Sequence, residues 1–496
     1  MINFNNIQFY LLISGCYLIT RLINLGIIPI FTDEAIYSYW AQVALNDPAN
    51  RYISLVDGKQ PLFIWISAIF QNFIADPLIA TRMTSVLSGA LAVIGIYLVA
   101  RELFSVKVAK IASILYIFLP FTLLYDRLAL YDSLLTMLGL FSVYFSLRLV
   151  KNPRLDFALL NGMTIGLALL TKSSGYFYIF YIPTTLLLIN LKAKNAKTKL
   201  IKWFYFSFLS VVLAQIIYNT LRLSPFFYII SQKNLEFIRP LREVIDKPFL
   251  HLSSNLITIA NWLSSYLGLP LLVLFTASTL YFLYRKNIKI LLLSTLVFLP
   301  LFAEGLFNKV LYPRFLLFYF PYLIITVAYT LSNIAVLNPK FKPLIMFSLA
   351  IIFAIPLFNS FLLLTNPAKA KIASSDLGQY LNDWPAGFGV KESAGIIQES
   401  AKSGPTYVAT EGTFGLLPYA LNIYFYSHKN VEIIGFWPVN PENLPQQVLD
   451  SAQNKKAYFI FNENQKDITN ARLKLVGRYQ KGIGNTFLRI YEVLPQ

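Results

Sequence analysis

Charge, cysteine and histidine are all scarce in this chain. Only 13% of its 496 residues are charged, about half of what a soluble domain carries. With 56% hydrophobic residues, that excludes a disordered chain and an ordinary cytosolic enzyme. The single cysteine, Cys16, lies in an apolar run, so an intrachain disulfide is excluded. There are two histidines. His251 stands alone with no HxxxH-type partner, so the sequence supplies no metal-binding motif. Phosphate-binding P-loop, dinucleotide fingerprint and GxSxG elbow are all missing. So are internal repeats and low-complexity stretches.

What is abundant is apolar runs. A spanning helix needs about 20 apolar residues, and about eleven such segments are legible. They lie near 7–30, 79–100, 108–124, 133–150, 156–170, 174–191, 203–221, 258–283, 290–303, 311–332 and 343–364. The first has no basic n-region and no clear cleavage site, so it reads as a retained helix. The expectation is a mainly α-helical polytopic membrane protein.

The formal charge of +18 has a topological explanation. With the N-terminus inside, every inside loop is basic, for example Lys192, Lys194, Lys197, Lys199 and Lys202. Of the 13 acids before residue 366, all but Glu102 and Asp156 fall outside. This is the positive-inside pattern, so the basic balance carries no sign of nucleic acid. An odd number of spans puts the tail outside. The tail is polar, with 13 Lys+Arg against 11 Asp+Glu. Strand-like runs at 405–410, 431–436 and 456–461 alternate with helix-like stretches at 393–402, 413–425 and 443–453, and 473–494 reads as a hairpin. The expected organisation is a transmembrane domain, 1–365, and a small α/β extracytoplasmic domain, 366–496.

Ionisable groups at a bilayer are costly and mark function. Asp33 and Glu34 stand together after the first span, followed by Tyr37 and Trp40. Asp33 and Tyr37 would share a helix face. A cap by Thr32 or Asp33 is the plain structural alternative. Lys59 precedes Gln60-Pro61 at the lip of an apolar segment. It suits a phosphate as a point charge, or lipid headgroups by snorkelling. Asp126, Arg127 and Asp132 crowd one outer loop, and Lys172 and Arg314 occupy two others. Arg21, inside the first span, is expected to reach the outer surface. The long loop 222–257, with Arg222, reads as lying in the headgroup plane.

Asp33-Glu34-Ala35-Ile36-Tyr37, Lys59-Gln60-Pro61-Leu62, Arg82, Asp132, Leu170-Thr171-Lys172 and Arg314 follow one another in an order that resembles a known family. It is the GT-C-fold glycosyltransferases that use lipid-phosphate sugars, closest to family 39 with its protein O-mannosyltransferase and aminoarabinose transferase branch. The resemblance covers roughly residues 1–330. It implies a catalytic Asp33, with Glu34 beside it, and a lipid phosphate held by basic residues. Lys59, Arg127, Lys172, Arg222 and Arg314 are the candidates for that role, with Asp132 as a second acid near the donor. Two departures stand out. Gln60 replaces a frequent proline, and Gly58 and Ile36 stand where the aminoarabinose branch has Glu and Arg. The tail run Thr410-Glu411-Gly412-Thr413-Phe414-Gly415 also resembles bacterial relatives of no assigned activity.

The function expected is inverting transfer of a sugar from a polyprenyl-phosphate donor to a hydroxyl of protein, glycan or lipid. Asp33 would be the general base, and Tyr37, Trp40 and Tyr312 would contact sugar or acceptor. The expected setting is the outer side of the cytoplasmic membrane, with no nucleic-acid partner. The sequence identifies no certain cofactor; a divalent metal is compatible with the chain but has no supporting motif. The alternative is a transporter or flippase of lipid-linked or small anionic substrates, which would place its charges nearer the bilayer midplane and show repeats.

Overall fold

A computed structural model describes residues 4–334, 342–466 and 468–495. Where the sequence is continuously apolar, the chain is helical. The helices of the first part are α1 (Phe4–Leu22), α2 (Thr32–Asn46), α3 (Leu62–Gln71), α4 (Pro77–Leu103), α5 (Val106–Phe118), α6 (Pro120–Tyr125), α7 (Tyr131–Lys151), α8 (Leu155–Leu169), α9 (Tyr176–Thr184), α10 (Ala196–Asn219), α11 (Ile229–Phe237), α12 (Leu241–Asp246), α13 (Leu252–Leu267), α14 (Leu269–Tyr284), α15 (Ile288–Phe307), α16 (Phe320–Ile334) and α17 (Lys342–Thr365). Five of these are long and apolar enough to cross a membrane, among the described residues. Many apolar side chains point outward, such as Leu11, Phe204, Phe208 and Tyr284. Water would penalise such a surface, and the protein is membrane-embedded.

The expected span 258–283 differs from a straight rod. It is the pair α13 and α14, bent by 116°. The break is at Gly268, whose φ of +75° is a conformation glycine adopts without strain. The two inside acids found by charge counting are both paired with neighbouring cations. Glu102 meets Lys151 at 2.8 Å and Arg148 at 3.4 Å, and Asp156 meets Arg154 at 2.8 Å.

The tail carries α18 (Ser374–Leu377), α19 (Val390–Ser403), β1 (Thr406–Glu411), α20 (Tyr419–Phe425), β2 (Val431–Phe436), α21 (Gln446–Asn454), β3 (Lys456–Phe461), β4 (Leu473–Gln480) and β5 (Phe487–Val493). The strand order is β2-β1-β3-β5-β4. The first three strands are parallel, and β5 and β4 add antiparallel. Side chains alternate between the two sheet faces, and both faces are covered. Ala457, Phe459 and Phe461 pack with Val448 of α21. Tyr458 and Ile460 pack with α19, α20 and also Ile30, Ala35 and Leu78 of the helical part. One face of the sheet layer therefore shares a core with the start of α2 and α4, which fixes the tail over that end of the helices.

The candidate active site at the start of helix α2

Before α2 the chain is extended at Phe31 and pairs with Ala386 of the tail. Thr32 donates its N–H to Pro385 O at 3.1 Å. The helix has no side-chain cap, so the alternative reading of Thr32 or Asp33 as a cap does not hold, and a tail carbonyl takes the first helical N–H. Both acids are left for other partners.

Asp33 accepts a 2.6 Å hydrogen bond from Arg314. Burial pushes its pKa up, but Arg314, Lys59 and Lys172 together outweigh burial and hold it below the usual carboxylate value. Four residues from four separate loops are thus brought together. Lys172 also binds Asp132 at 2.7 Å, and its ammonium lies 4.2 Å from the Phe315 ring centre. Lys59 sits 5.3 Å from the Phe237 ring centre. Among the described residues it has no hydrogen-bonded or ion-paired partner for its ammonium. Burial lowers the Lys59 pKa, and Arg314 and Lys172 lower it further, against the pull of Asp33 and Asp57. This is an incompletely neutralised cation beside two others, an arrangement that favours an anion.

Local sequence explains how Lys59 gets there. Gly58 has φ +66°, and a Cβ on it would lie 2.6 Å from Lys233 Cβ and 2.9 Å from Ile229 O. No side chain fits, so a Glu at this position is sterically excluded. Gln60, in place of a proline, donates to Ser173 Oγ at 2.9 Å, and Leu62 N–H donates to Leu170 O at 3.0 Å. These bonds tie the Lys59 loop to the Lys172 turn. The loop expected to lie among headgroups instead folds over this region: α11 supplies Phe237 beneath Lys59, and Lys233 pairs with Asp57 at 2.9 Å.

Tyr37, one turn after Asp33, is buried in an aromatic box. Its ring meets Tyr131 edge-on at 4.7 Å and Phe63 at 6.2 Å. Trp40 is only 1% exposed, closed over by Phe414 at 6.4 Å; it supports the site and offers no open stacking surface. Tyr312 packs 4.9 Å from the Arg314 guanidinium.

Several expected site residues have structural partners elsewhere. Glu34 points away from Asp33 into a dry ion pair with Arg82, 2.8 and 2.7 Å to its two oxygens. It also accepts the Ala129 N–H at 2.7 Å, so both oxygens are occupied and Glu34 is not poised as a second catalytic acid. Arg127 donates to the carbonyls of Thr20, Arg21, Ile23 and Asn24, at 2.7–3.0 Å. It satisfies the open end of α1. Arg222 is exposed, bonded to Asn219 at 2.6 Å and lying over Phe227; among the described residues no contact joins it to the Asp33 cluster. Arg21 does not reach the surface. It is fully buried and paired with Asp126 at 3.1 Å. Among the described residues no three His, Cys, Asp or Glu side chains converge as metal ligands.

Two residues in this region have no local signal in the sequence. Asp376 enters from the tail, accepting hydrogen bonds from Tyr125, at 2.5 Å, and from Tyr266. Tyr380, also from the tail, packs edge-on against Phe31 at 4.7 Å. Ser374-Ser375-Asp376 reads as an ordinary polar helix start, and only the tertiary fold carries it some 340 residues back to Asp33. The run Thr410 to Gly415 also has a structural reading. Glu411 accepts the N–H groups of Asn462, Glu463 and Asn464 at 2.7–3.1 Å, and Phe414, in the loop that follows β1, lies over Trp40.

Residues 58–230 match the family model of dolichyl-phosphate-mannose-protein mannosyltransferases. No curated protein matches the sequence. Among solved structures, ArnT from Cupriavidus metallidurans bound to undecaprenyl phosphate is 16% identical, with a TM-score of 0.62 and 99% of each chain covered. The oligosaccharyltransferase AglB from Archaeoglobus fulgidus, in complex with an inhibitory peptide and a dolichol-phosphate, is 13% identical, with a TM-score of 0.54. That match covers 92% of this chain and 69% of AglB. The chain therefore shares the GT-C fold of these membrane proteins, and the mannosyltransferase family model matches about a third of its length.

Proposed function

We propose that the protein is a glycosyltransferase that moves a sugar from a polyprenyl-phosphate donor to a hydroxyl acceptor on the outer side of the membrane, with inversion. The observation that carries this reading is the Lys59 ammonium, without a paired anion, beside Lys172, Arg314 and Asp33. The family-model match and the resemblance in fold to a protein solved with undecaprenyl phosphate support it.

In this mechanism Asp33 accepts the proton of the acceptor hydroxyl. The acceptor oxygen bonds to the anomeric carbon as the bond from that carbon to the phosphate oxygen breaks. The electron pair leaves with the polyprenyl phosphate. Lys59, Lys172 and Arg314 stabilise the charge that develops there. Arg314 has a double part. Bound to Asp33 at 2.6 Å, it keeps the carboxylate a weak base. A donor phosphate competes for the guanidinium, and Asp33 becomes more basic as the donor arrives. Asp132, paired with Lys172, holds that cation in place. In the same reading the N-terminus lies inside, the sheet-bearing tail outside, and 1–365 and 366–496 act as two domains. The transporter alternative gains no support from the family model or the fold.

The test is Asp33→Asn in membranes supplied with a polyprenyl-phosphate sugar. Transfer should fall by about two orders of magnitude or more; transfer at the wild-type rate with normal protein levels would overturn the base assignment.

A further inference from the structure

Buried polar atoms nearly always find partners. Among the described residues sixteen buried side-chain atoms do not, and four of them fall within six residues of the tail: Ser375 Oγ, Asp376 Oδ1, Gln379 Oε1 and Tyr380 OH. Asp376 and Tyr380 are completely buried. A fifth such atom is Tyr131 OH. Along α2 the two tyrosines bracket the Asp33 carboxylate. Tyr380 packs on Phe31, two residues before it, and Tyr131 packs on Tyr37, four residues after it. Both hydroxyls are within electrostatic reach of Asp33. Tyr380 and Asp376 also feel the Arg314 charge, and the Tyr380 hydroxyl lies close enough to Asp376 to pull its pKa down.

We propose that Tyr131, Tyr380 and the free oxygen of Asp376 form a subsite for the hydroxyl groups of a sugar ring, next to the cationic site for the phosphate. This rests on the glycosyltransferase reading and adds the groups that recognise the sugar. The chemistry divides the two subsites. A phosphate calls for cations, and Lys59, Lys172 and Arg314 provide them. Neutral phenol hydroxyls suit neutral partners that both donate and accept, as sugar hydroxyls do. The tail is then a part of the binding site itself: it supplies two of the three recognition groups.

A hydroxyl kept for a ligand behaves differently from one kept for stability. Removing an unpaired buried hydroxyl costs the fold nothing and relieves a desolvation penalty, whereas removing a bonded one weakens it. The experiment uses full-length protein in detergent. Its probes are bare polyprenyl phosphate and a panel of the same lipid phosphate carrying mannose, glucose, arabinofuranose or aminoarabinose. Tyr380→Phe should keep the affinity for bare lipid phosphate and leave Tm unchanged or raised. Affinity for the best-bound panel member should fall roughly three- to tenfold, the value of one hydrogen bond. Tyr131→Phe should act in the same direction. The proposal is overturned if Tyr380→Phe lowers Tm without touching sugar-lipid affinity, or weakens bare and sugar-bearing lipid equally. It is also overturned if the wild type binds no panel member more tightly than bare lipid phosphate, the hydroxyls then being served by water alone. Those results leave the phosphate site standing. Wild-type protein that binds no lipid phosphate at all would instead overturn the proposed function, and this subsite with it.

Discussion

Replacing Glu34 by Gln separates scaffolding from chemistry within two adjacent carboxylates. Both Glu34 and Arg82 side chains are fully buried. Arg82 gives Glu34 two hydrogen bonds and uses its remaining N–H groups on the carbonyls of Leu25, Ile28 and Pro29, at 2.6–3.2 Å. Glu34 in turn holds the Ala129 N–H. One ion pair therefore joins the end of the first loop, α2, α4 and the loop before α7. Gln keeps an oxygen for one of these bonds but strands the guanidinium without a counter-charge in a dry site. Breaking such a pair costs about 3–5 kcal/mol, or a Tm drop on the order of 5–10 °C for a large protein. Removing both charges, in a Glu34→Leu/Arg82→Leu pair, should cost less than the sum of the single changes, because neither charge is left uncompensated. The assay is thermal unfolding of purified full-length variants in detergent, with sugar transfer measured per folded molecule below Tm. Glu34→Gln should lose stability and retain most of its transfer rate, the reverse of Asp33→Asn. A Glu34→Gln protein with wild-type Tm and no transfer would refute the scaffold assignment and return Glu34 to the catalytic machinery.

Lys59→Met removes an ammonium that holds no ion pair, so Tm should stay within a degree or two while affinity for polyprenyl phosphate falls at least tenfold, the size of a lost charge-assisted bond; a titration showing equal affinity would refute its phosphate role. Burial pushes Asp376 up to about 6, against the hydrogen bonds of Tyr125 and Tyr266 and the charge of Arg314. An unfolded aspartate titrates near 3.9, so the folded state holds the proton more tightly. The resulting stabilisation is complete below about pH 4 and is lost as pH rises through about 6, for a total of about 2–3 kcal/mol. Wild-type Tm should therefore decline between about pH 4 and 6 relative to Asp376→Asn, and a variant with the same slope would refute the assignment.

The helices were legible because lipid-facing segments must be continuously apolar, and the tail strands because their apolar runs are short and bounded by turns. The expected runs at 431–436 and 456–461 coincide with β2 and β3. The bend at Gly268 was not legible, since both arms are equally apolar and one glycine is common in spanning helices. Charges were harder. Asp33, Lys59, Lys172 and Arg314 stood out because charge at the membrane lip is expensive, and the fold brings them together. The same reasoning drew in Arg127 and Arg21, whose cost is met by helix-end carbonyls and by Asp126. Sequence position alone does not tell a cation that serves the fold from one that awaits a ligand; the count of occupied hydrogen-bonding groups does. Asp376 and Tyr380 were invisible, because nothing near them in the chain hints at a partner so far back.

The pairing of Phe31 with Ala386 and the seat of Tyr380 on Phe31 also bear on how the protein is made. Asp33 leaves the ribosome long before its partners. Arg314 follows 281 residues later and Tyr380 later still. At about 5–20 residues per second, that first interval alone is roughly 15–60 seconds of synthesis. During it the Asp33 carboxylate has neither its guanidinium partner nor its tail wall. A nascent chain therefore holds most of its helices before the site is enclosed, and synthesis through Tyr380 and Ala386 is what brings in the closing residues.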